Sequence, residues 1–258
     1  MDIFQAIVIG ILQGVTEWLP ISSSGHVVLS LVDFLHVDPE TAFSFAIILH
    51  TGTLLAVVVK YRKDLWHIIK GMSWNDNLTR FIVVSTIFTG IVGIPIYLFL
   101  KNIFTYGAVT TGLVGGLLIF TGIVLYISRN AKGRKGLKTL GFKEMIITGA
   151  AQGIAILPGV SRSATTITAM LLTGIRHDTA LKLSFIMSVP AIIGAVVLDF
   201  TGESCLMHFG VTEVIMGILF AFVFGYLTMD ALLKVADRVR FDIFCIIFGL
   251  IAVIAFFL

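Results

Sequence analysis

Gln13-Gly14-Val15-Thr16-Glu17-Trp18-Leu19-Pro20-Ile21-Ser22-Ser23-Ser24-Gly25-His26 is the stretch whose reading decides the fold. It sets a carboxylate, three consecutive serines and an imidazole inside an apolar run, then breaks that run with Pro20 and two glycines. In a soluble protein this would be an ordinary polar loop. At membrane depth, ionisable groups are costly and mark functional sites by default. The flanking sequence decides between the two.

Those flanks are built for lipid. Of 258 residues, 57% are hydrophobic and 13% charged, with a mean hydropathy of +1.03. Soluble domains carry roughly a quarter charged residues. The composition excludes a soluble enzyme and predicts an all-α integral membrane protein. At ~20 apolar residues per crossing, six transmembrane helices fit, at about 41–59, 81–100, 107–127, 179–199, 209–233 and 241–258. The start, Met1-Asp2-Ile3-Phe4, has no basic n-region, so no removable signal peptide is expected. Cys205 and Cys245 give neither a metal-site spacing nor a disulfide framework.

Two apolar segments do not read as spans. Residues 3–35 are broken at Pro20, and residues 144–174 at Pro158-Gly159. Arms of about 15 and 12 residues are too short for a ~30 Å hydrocarbon core. Re-entrant helical hairpins fit better than kinked spans, although the sequence leaves both open. The two segments also match each other: Gly10, Gln13, Gly14 and Pro20 overlie Gly149, Gln152, Gly153 and Pro158. The spans that follow run in parallel, Ala42 onward against Ala180 onward. One membrane domain of two halves, about 1–128 and 141–258, follows as an inverted-topology repeat. In such folds the paired broken helices meet near the midplane and build the site.

Charge placement agrees. Loops 61–80, 129–143, 175–182 and 234–240, with their flanks, hold 16 of the 18 Lys and Arg residues. Lys101 lies on the other side and Arg162 within the second broken segment. Basic loops are cytoplasmic, so both termini and the mouth of the first hairpin face outward. The basic run Lys132–Lys138 also suits anionic headgroups; nucleic acid is not an expected partner.

Gln13 and Glu17, four apart, share one helix face. Ser22, Ser23 and Ser24 fall where a restarted helix needs caps, and where its N–H groups suit phosphate. His26 lies within reach of the Ser22 and Ser23 hydroxyls, the general form of an activated nucleophile. The second copy offers Ser161-Arg162-Ser163-Ala164-Thr165: a guanidinium among hydroxyls, shaped for bidentate phosphate binding. His50, mid-span, reads as packed or hydrogen-bonded rather than reactive. Asp33, Asp38, Glu40, Asp199 and Glu203 read as solvated ends of spans.

Gln-Gly-Val-Thr-Glu-Trp-Leu-Pro-Ile-Ser-Ser-Ser-Gly-His and Leu157-Pro-Gly-Val-Ser-Arg-Ser-Ala-Thr165 closely resemble the two signature motifs of the undecaprenyl-diphosphate phosphatase, or bacitracin-resistance, family. The resemblance covers nearly the full length. It implies a plasma-membrane enzyme that removes the terminal phosphate of a C55 polyprenyl diphosphate, regenerating the monophosphate carrier lipid for cell-wall polymers. It also implies six spans plus two re-entrant hairpins, a site open to the outer face, and a divalent cation, Mg²⁺ or Ca²⁺. Carried over, the family's acidic motif falls on Gln13 and Glu17, its serine pair on Ser22 and Ser23, its histidine on His26 and its arginine on Arg162. Position 13 is Gln where many members have Glu, so one negative metal ligand is missing. Ala164 stands where Gly is frequent.

The expected chemistry is phosphoanhydride hydrolysis. Glu17, Ser23, His26 and Arg162 are the catalytic candidates. Gln13, Ser22, Ser24, Ser161, Ser163 and Thr165 join Arg162 around the phosphates, and Glu17 with Gln13 holds the metal. Ser23 attacks with His26 as base, or His26 or water attacks instead. The rival is a polyprenyl-phosphate flippase, since inverted repeats with half-helices are shared with transporters. The oligomeric state, homodimer included, is open.

Overall fold

A computed structural model describes all residues except 71–72, 105–109, 132, 201–208, 237–238 and 258. Cys205 and Glu203 therefore lie outside the described residues. The described residues form eleven α-helices: α1 (Ile3–Thr16), α2 (Ser23–Leu29), α3 (Pro39–Lys60), α4 (Arg62–Lys70), α5 (Asn77–Phe104), α6 (Thr110–Ser128), α7 (Phe142–Ile154), α8 (Arg162–Leu172), α9 (His177–Phe200), α10 (Val211–Ala236) and α11 (Phe241–Phe257). Among the described residues there is no β-strand, only an isolated bridge between Lys135 and Ile175 that ties the basic loop to the α8–α9 turn.

Among the described residues, five helices are long and apolar enough to cross a membrane, within Pro39–Lys60, Asn77–Leu100, Thr110–Ser128, His177–Asp199 and Val211–Ala231. This is a multi-pass helical membrane protein. The expected sixth span, α11, is apolar but has 17 residues, about 25 Å of helix and the low end of the spanning range. The loop expected at 61–80 contains a helix of its own. α4 buries none of its residues, exposes Trp66 and Ile69, and is rich in Lys and Arg. That is the pattern of a helix lying in the membrane interface.

Both broken segments are helix–break–helix. α1 has 14 residues and α7 has 13, about 20 Å each, against a hydrocarbon core of ~30 Å. α1 ends with Glu17 as its C-cap, and α2 restarts after Ser22, which sits in the left-handed region at φ 63°. The second break turns at Gly159, φ +101°, a conformation glycine adopts without cost. The chain then restarts with Ser161 capping the Ala164 N–H at 3.3 Å.

Small residues decide what the arms pack against. On α1, Gly10 and Gly14 face Gly217, Ala221 and Gly225 of α10; a Cβ on Gly14 would lie 2.7 Å from Ala221 O. On α7, Gly149 and Gly153 face Ser85, Thr89, Val92 and Gly93 of α5, and a Cβ on Gly149 would lie 2.4 Å from Ser85 O. Backbones approach this closely only where side chains are absent, the device that associates helices in lipid. Each break is thus held by a span from the other half of the chain. α3 packs on α9, and α6 on α11. Trp18, 1% exposed, pins the first break by donating to Gly225 O at 2.8 Å and meeting Phe185 edge-on.

Candidate active site

The two breaks touch. Ser22 Oγ accepts from the Gly159 N–H at 3.0 Å and from the Gly25 N–H at 3.3 Å. A Cβ on Gly25 would sit 3.0 Å from Gly159. Thr121 of α6 braces the far side, donating to Gly159 O at 2.8 Å and accepting from the Ser161 N–H at 3.0 Å.

Glu17 lies at the centre, 6% exposed. Its Oε2 accepts from Ser23 Oγ at 2.5 Å and Gln13 Nε2 at 3.0 Å, and lies 3.3 Å from His50 Nε2. Its Oε1 takes Nη2 of Arg162 at 2.5 Å. Nη1 of Arg162 is anchored on Ser184 O at 3.0 Å. A buried carboxylate and guanidinium persist only when paired and hydrogen-bonded, and both conditions hold here. The pair brings together residues 145 apart in sequence.

Around this pair is a polar cavity of about 40 Å³, lined by Glu17, Leu19, Ser22, Ser23, Ser24, His50, Ala155, Val160, Ser161, Arg162 and Ser163. Beside it lies an apolar chamber of about 410 Å³ between α3, α5, α7 and α9; Ser24, His50, Ala155 and Arg162 line both. The chamber is walled by Phe43, Ile47, Ile94, Tyr97 and Leu198 among others, residues in the halves of α3, α5 and α9 remote from the basic loops.

Most sequence candidates are gathered here: Glu17, Ser22, Ser23, Ser24, Ser161, Arg162 and Ser163 line the cavity, and Gln13 lies behind Glu17. Two are placed differently. His26 does not reach the Ser22 or Ser23 hydroxyls. Its Nδ1 faces Ser22 O at 2.9 Å, its ring stacks on Phe248 and Phe244 of α11, and its Nε2 is buried with no hydrogen-bond partner among the described residues. The physical reason is that α2 turns the ring away from Glu17, towards α11. Thr165 does not line the polar cavity; its hydroxyl turns back to Ser161 O and Arg162 O, and its side chain faces a separate groove beside α6 and α7.

Sequence reading underrated two ionisable residues. His50 contacts Glu17 from α3. Asp199, taken for a solvated end, is 4% exposed and accepts from Ser44 Oγ at 3.0 Å and Tyr97 OH at 3.1 Å. The signal for both was an ionisable residue within an apolar span.

The expected cation can be weighed against the donors present. Among the described residues, no three His, Cys, Asp or Glu side chains converge as a cage. Gln13 Oε1 is buried with no hydrogen-bond partner among the described residues, beside the Glu17 carboxylate to which Gln13 Nε2 donates. One carboxylate, an unpartnered amide oxygen and serine hydroxyls are hard donors of the kind that hold Mg²⁺ together with substrate phosphates. The residues fit a cation that arrives with a phosphate.

Fold and site define a class: a polytopic helical membrane protein whose buried carboxylate, guanidinium and serine adjoin an apolar chamber of about 410 Å³. The family model described as bacitracin resistance protein BacA matches residues 6–254, and the chain belongs to that family. Relatives named undecaprenyl-diphosphatase agree over the whole length. That of Methanothrix thermoacetophila is 43% identical across 97% of this chain and 96% of its own. Those of Methanococcoides burtonii and Methanopyrus kandleri are 37% and 35% identical, across 100% and 98% of this chain and 100% and 96% of theirs.

Proposed function

We propose that this chain is an undecaprenyl-diphosphatase, a membrane phosphatase that cleaves the terminal phosphate from a polyprenyl diphosphate. The observation that carries the reading is the Glu17 carboxylate bonded at once to Ser23 and to Arg162, beside a chamber for an apolar chain. The relatives' names favour hydrolysis; the flippase reading finds no support in them.

In this reading Arg162 and the first N–H groups of α8 hold the diphosphate, as helix starts favour anions. Ser23 Oγ attacks the terminal phosphorus while its proton passes along the existing hydrogen bond to Glu17. The bond to the bridging oxygen breaks, and the polyprenyl monophosphate leaves with the electron pair and receives the proton from Glu17. Water then attacks the phosphoserine, giving its proton to Glu17. The bond from phosphorus to Ser23 Oγ breaks with the electron pair on the oxygen, which takes that proton from Glu17 as phosphate leaves and the Ser23 hydroxyl is restored. Glu17, not His26, is the base, because the Ser23 hydroxyl already donates to it. His26 fixes the left-handed turn at Ser22. A divalent cation would be held by Glu17 and Gln13 Oε1 and would neutralise phosphoryl oxygens.

Six spans with two re-entrant hairpins in inverted repeat are part of the same proposal. It is supported by the reciprocal packing of α1 on α10 and of α7 on α5, and by α11 at the length limit. The chamber lies in the half away from the basic loops, which by the positive-inside rule opens the site outward. Phosphate release from undecaprenyl diphosphate by purified protein in detergent tests the reading. Wild-type protein that releases none, with or without Mg²⁺, would sink it.

A further inference from the structure

His50 comes from α3, outside both signature motifs, yet stands where the polar cavity meets the apolar chamber. Its Nδ1 lies 2.6 Å from Ala46 O. A carbonyl only accepts, so Nδ1 carries hydrogen and the ring is locked with Nε2 towards Glu17 Oε2. That oxygen also only accepts, so the 3.3 Å contact is attractive only with a proton between the two atoms.

The consequence concerns how Glu17 is shared. An arginine and a carboxylate left to themselves favour two parallel bonds, fork to fork. Here Arg162 holds one oxygen only: its Nη1 is engaged by Ser184 O, and Ser23, Gln13 and His50 occupy Glu17 Oε2. Gln13 lies on the same helical arm as Glu17 and moves with it; Ser23 must release its bond when it reacts. Among the described residues, His50 on α3 is the partner of Oε2 that lies outside the α1–α2 pair carrying Glu17 and Ser23.

We propose that His50 is a positioning residue that keeps Glu17 Oε2 on Ser23 and out of the grasp of Arg162. Base and phosphate clamp thereby remain separate groups. Without it the carboxylate turns, Arg162 closes on both oxygens, and Ser23 and substrate each lose a partner at once. This role rests on the hydrolase reading of the site.

The test is steady-state hydrolysis of undecaprenyl diphosphate in detergent by wild type, His50→Leu and His50→Gln, with thermal midpoints measured alongside. Leucine fills similar space without a donor. The glutamine amide can reach the position of Nε2 and donate to Oε2. Displacing a catalytic group by an ångström costs about 100-fold, so His50→Leu is expected to lose about 100-fold in kcat, with KM rising as well because Arg162 is drawn off the substrate. His50→Gln is expected to recover to within about tenfold of wild type. If His50→Leu keeps kcat within about threefold, or if Gln is no better than Leu at equal stability, the positioning role is overturned. Should His50→Leu not fold, His50→Asn against His50→Gln carries the same decision. The shorter amide falls short of Glu17 and is expected to be slower, and equal rates overturn the role. Wild-type protein without phosphate release defeats the hydrolase reading; active wild type with an indifferent His50→Leu defeats only the role of His50.

Discussion

Glu17 and Arg162, 145 residues apart, meet at 2.5 Å inside the protein. Neither group is stable there alone, since removing one partner leaves an uncompensated buried charge. Arg162→Ala is therefore expected to lose at least about 100-fold in kcat, as for removal of one charge-stabilising donor. Arg162→Lys should recover little, because a single ammonium cannot bond Ser184 O, Glu17 and a phosphate as a planar fork does. Phosphate release measured on both variants checks this; near-normal turnover by Arg162→Lys would assign substrate binding elsewhere.

The site depends on how closely the short arms approach the spans. A Cβ on Gly153 would lie 2.7 Å from Val92 Cβ and 2.9 Å from the Gly93 backbone. Gly153→Val must push α7 off α5 and carry Ala155 and Arg162 with it. Overpacking of this kind costs about 1–3 kcal/mol. The variant should show a lowered thermal midpoint and lost activity, whereas Gly116→Ala, where a Cβ meets nothing within 4 Å, should change neither.

These two residue sets also show what the sequence made legible. The breaks at Pro20 and Pro158, the match of Gly10 and Gly14 to Gly149 and Gly153, and the isolated Arg162 are local patterns, and each was readable. The contact of His50 with Glu17 was not, because it depends on the depth at which α3 passes the first break. The direction of His26 was misjudged for a related reason. Spacing along a helix says which residues share a face, but not which neighbour that face meets. Asp199 was misread because the end of a span looks solvated until α3 and α5 are placed around it.

Asp76 precedes α5 and caps it: Oδ2 accepts from the Thr79 N–H at 2.9 Å and the Thr79 hydroxyl at 2.8 Å. The backbone hydrogen bond from Thr79 is the main cause holding its carboxyl below the usual aspartate range. A depressed pKa contributes stability above the unfolded value, and that stability is lost as pH falls through the folded value. Asp76→Ala should cost about 1 kcal/mol at neutral pH. Asp76→Asn should keep most of the cap and remove its share of acid sensitivity. Thermal midpoints of the three proteins between pH 7 and strongly acidic pH decide; a parallel fall in wild type and Asp76→Asn refutes the linkage.

Asp199 joins three helices, taking bonds from Ser44 of α3 and Tyr97 of α5 at the end of the helices remote from the basic loops. Asp199→Leu leaves buried hydroxyls short of an acceptor, a loss of about 1–3 kcal/mol. Tyr97→Phe removes one donor only and should cost less. Thermal unfolding in detergent ranks the two. If Asp199→Leu is as stable as wild type, the cluster does not hold α3, α5 and α9 together.

Gln13 offers the sharpest test of the cation. Its Nε2 donates to Glu17 while its Oε1 is buried with no partner among the described residues, so one side of the amide is ready for an electropositive ligand. Gln13→Glu exchanges the donor for a second carboxylate next to Glu17. Without metal the two negative charges repel; with metal they form a stronger site, since affinity for hard cations rises with ligand charge. The variant should therefore be less active than wild type after chelation, yet reach half-maximal rate at about tenfold lower Mg²⁺. Rates titrated with Mg²⁺ from chelated protein measure both effects. Identical titration curves for the two proteins would remove Gln13 from the cation's ligands, leaving the orphaned oxygen to a water or to the substrate.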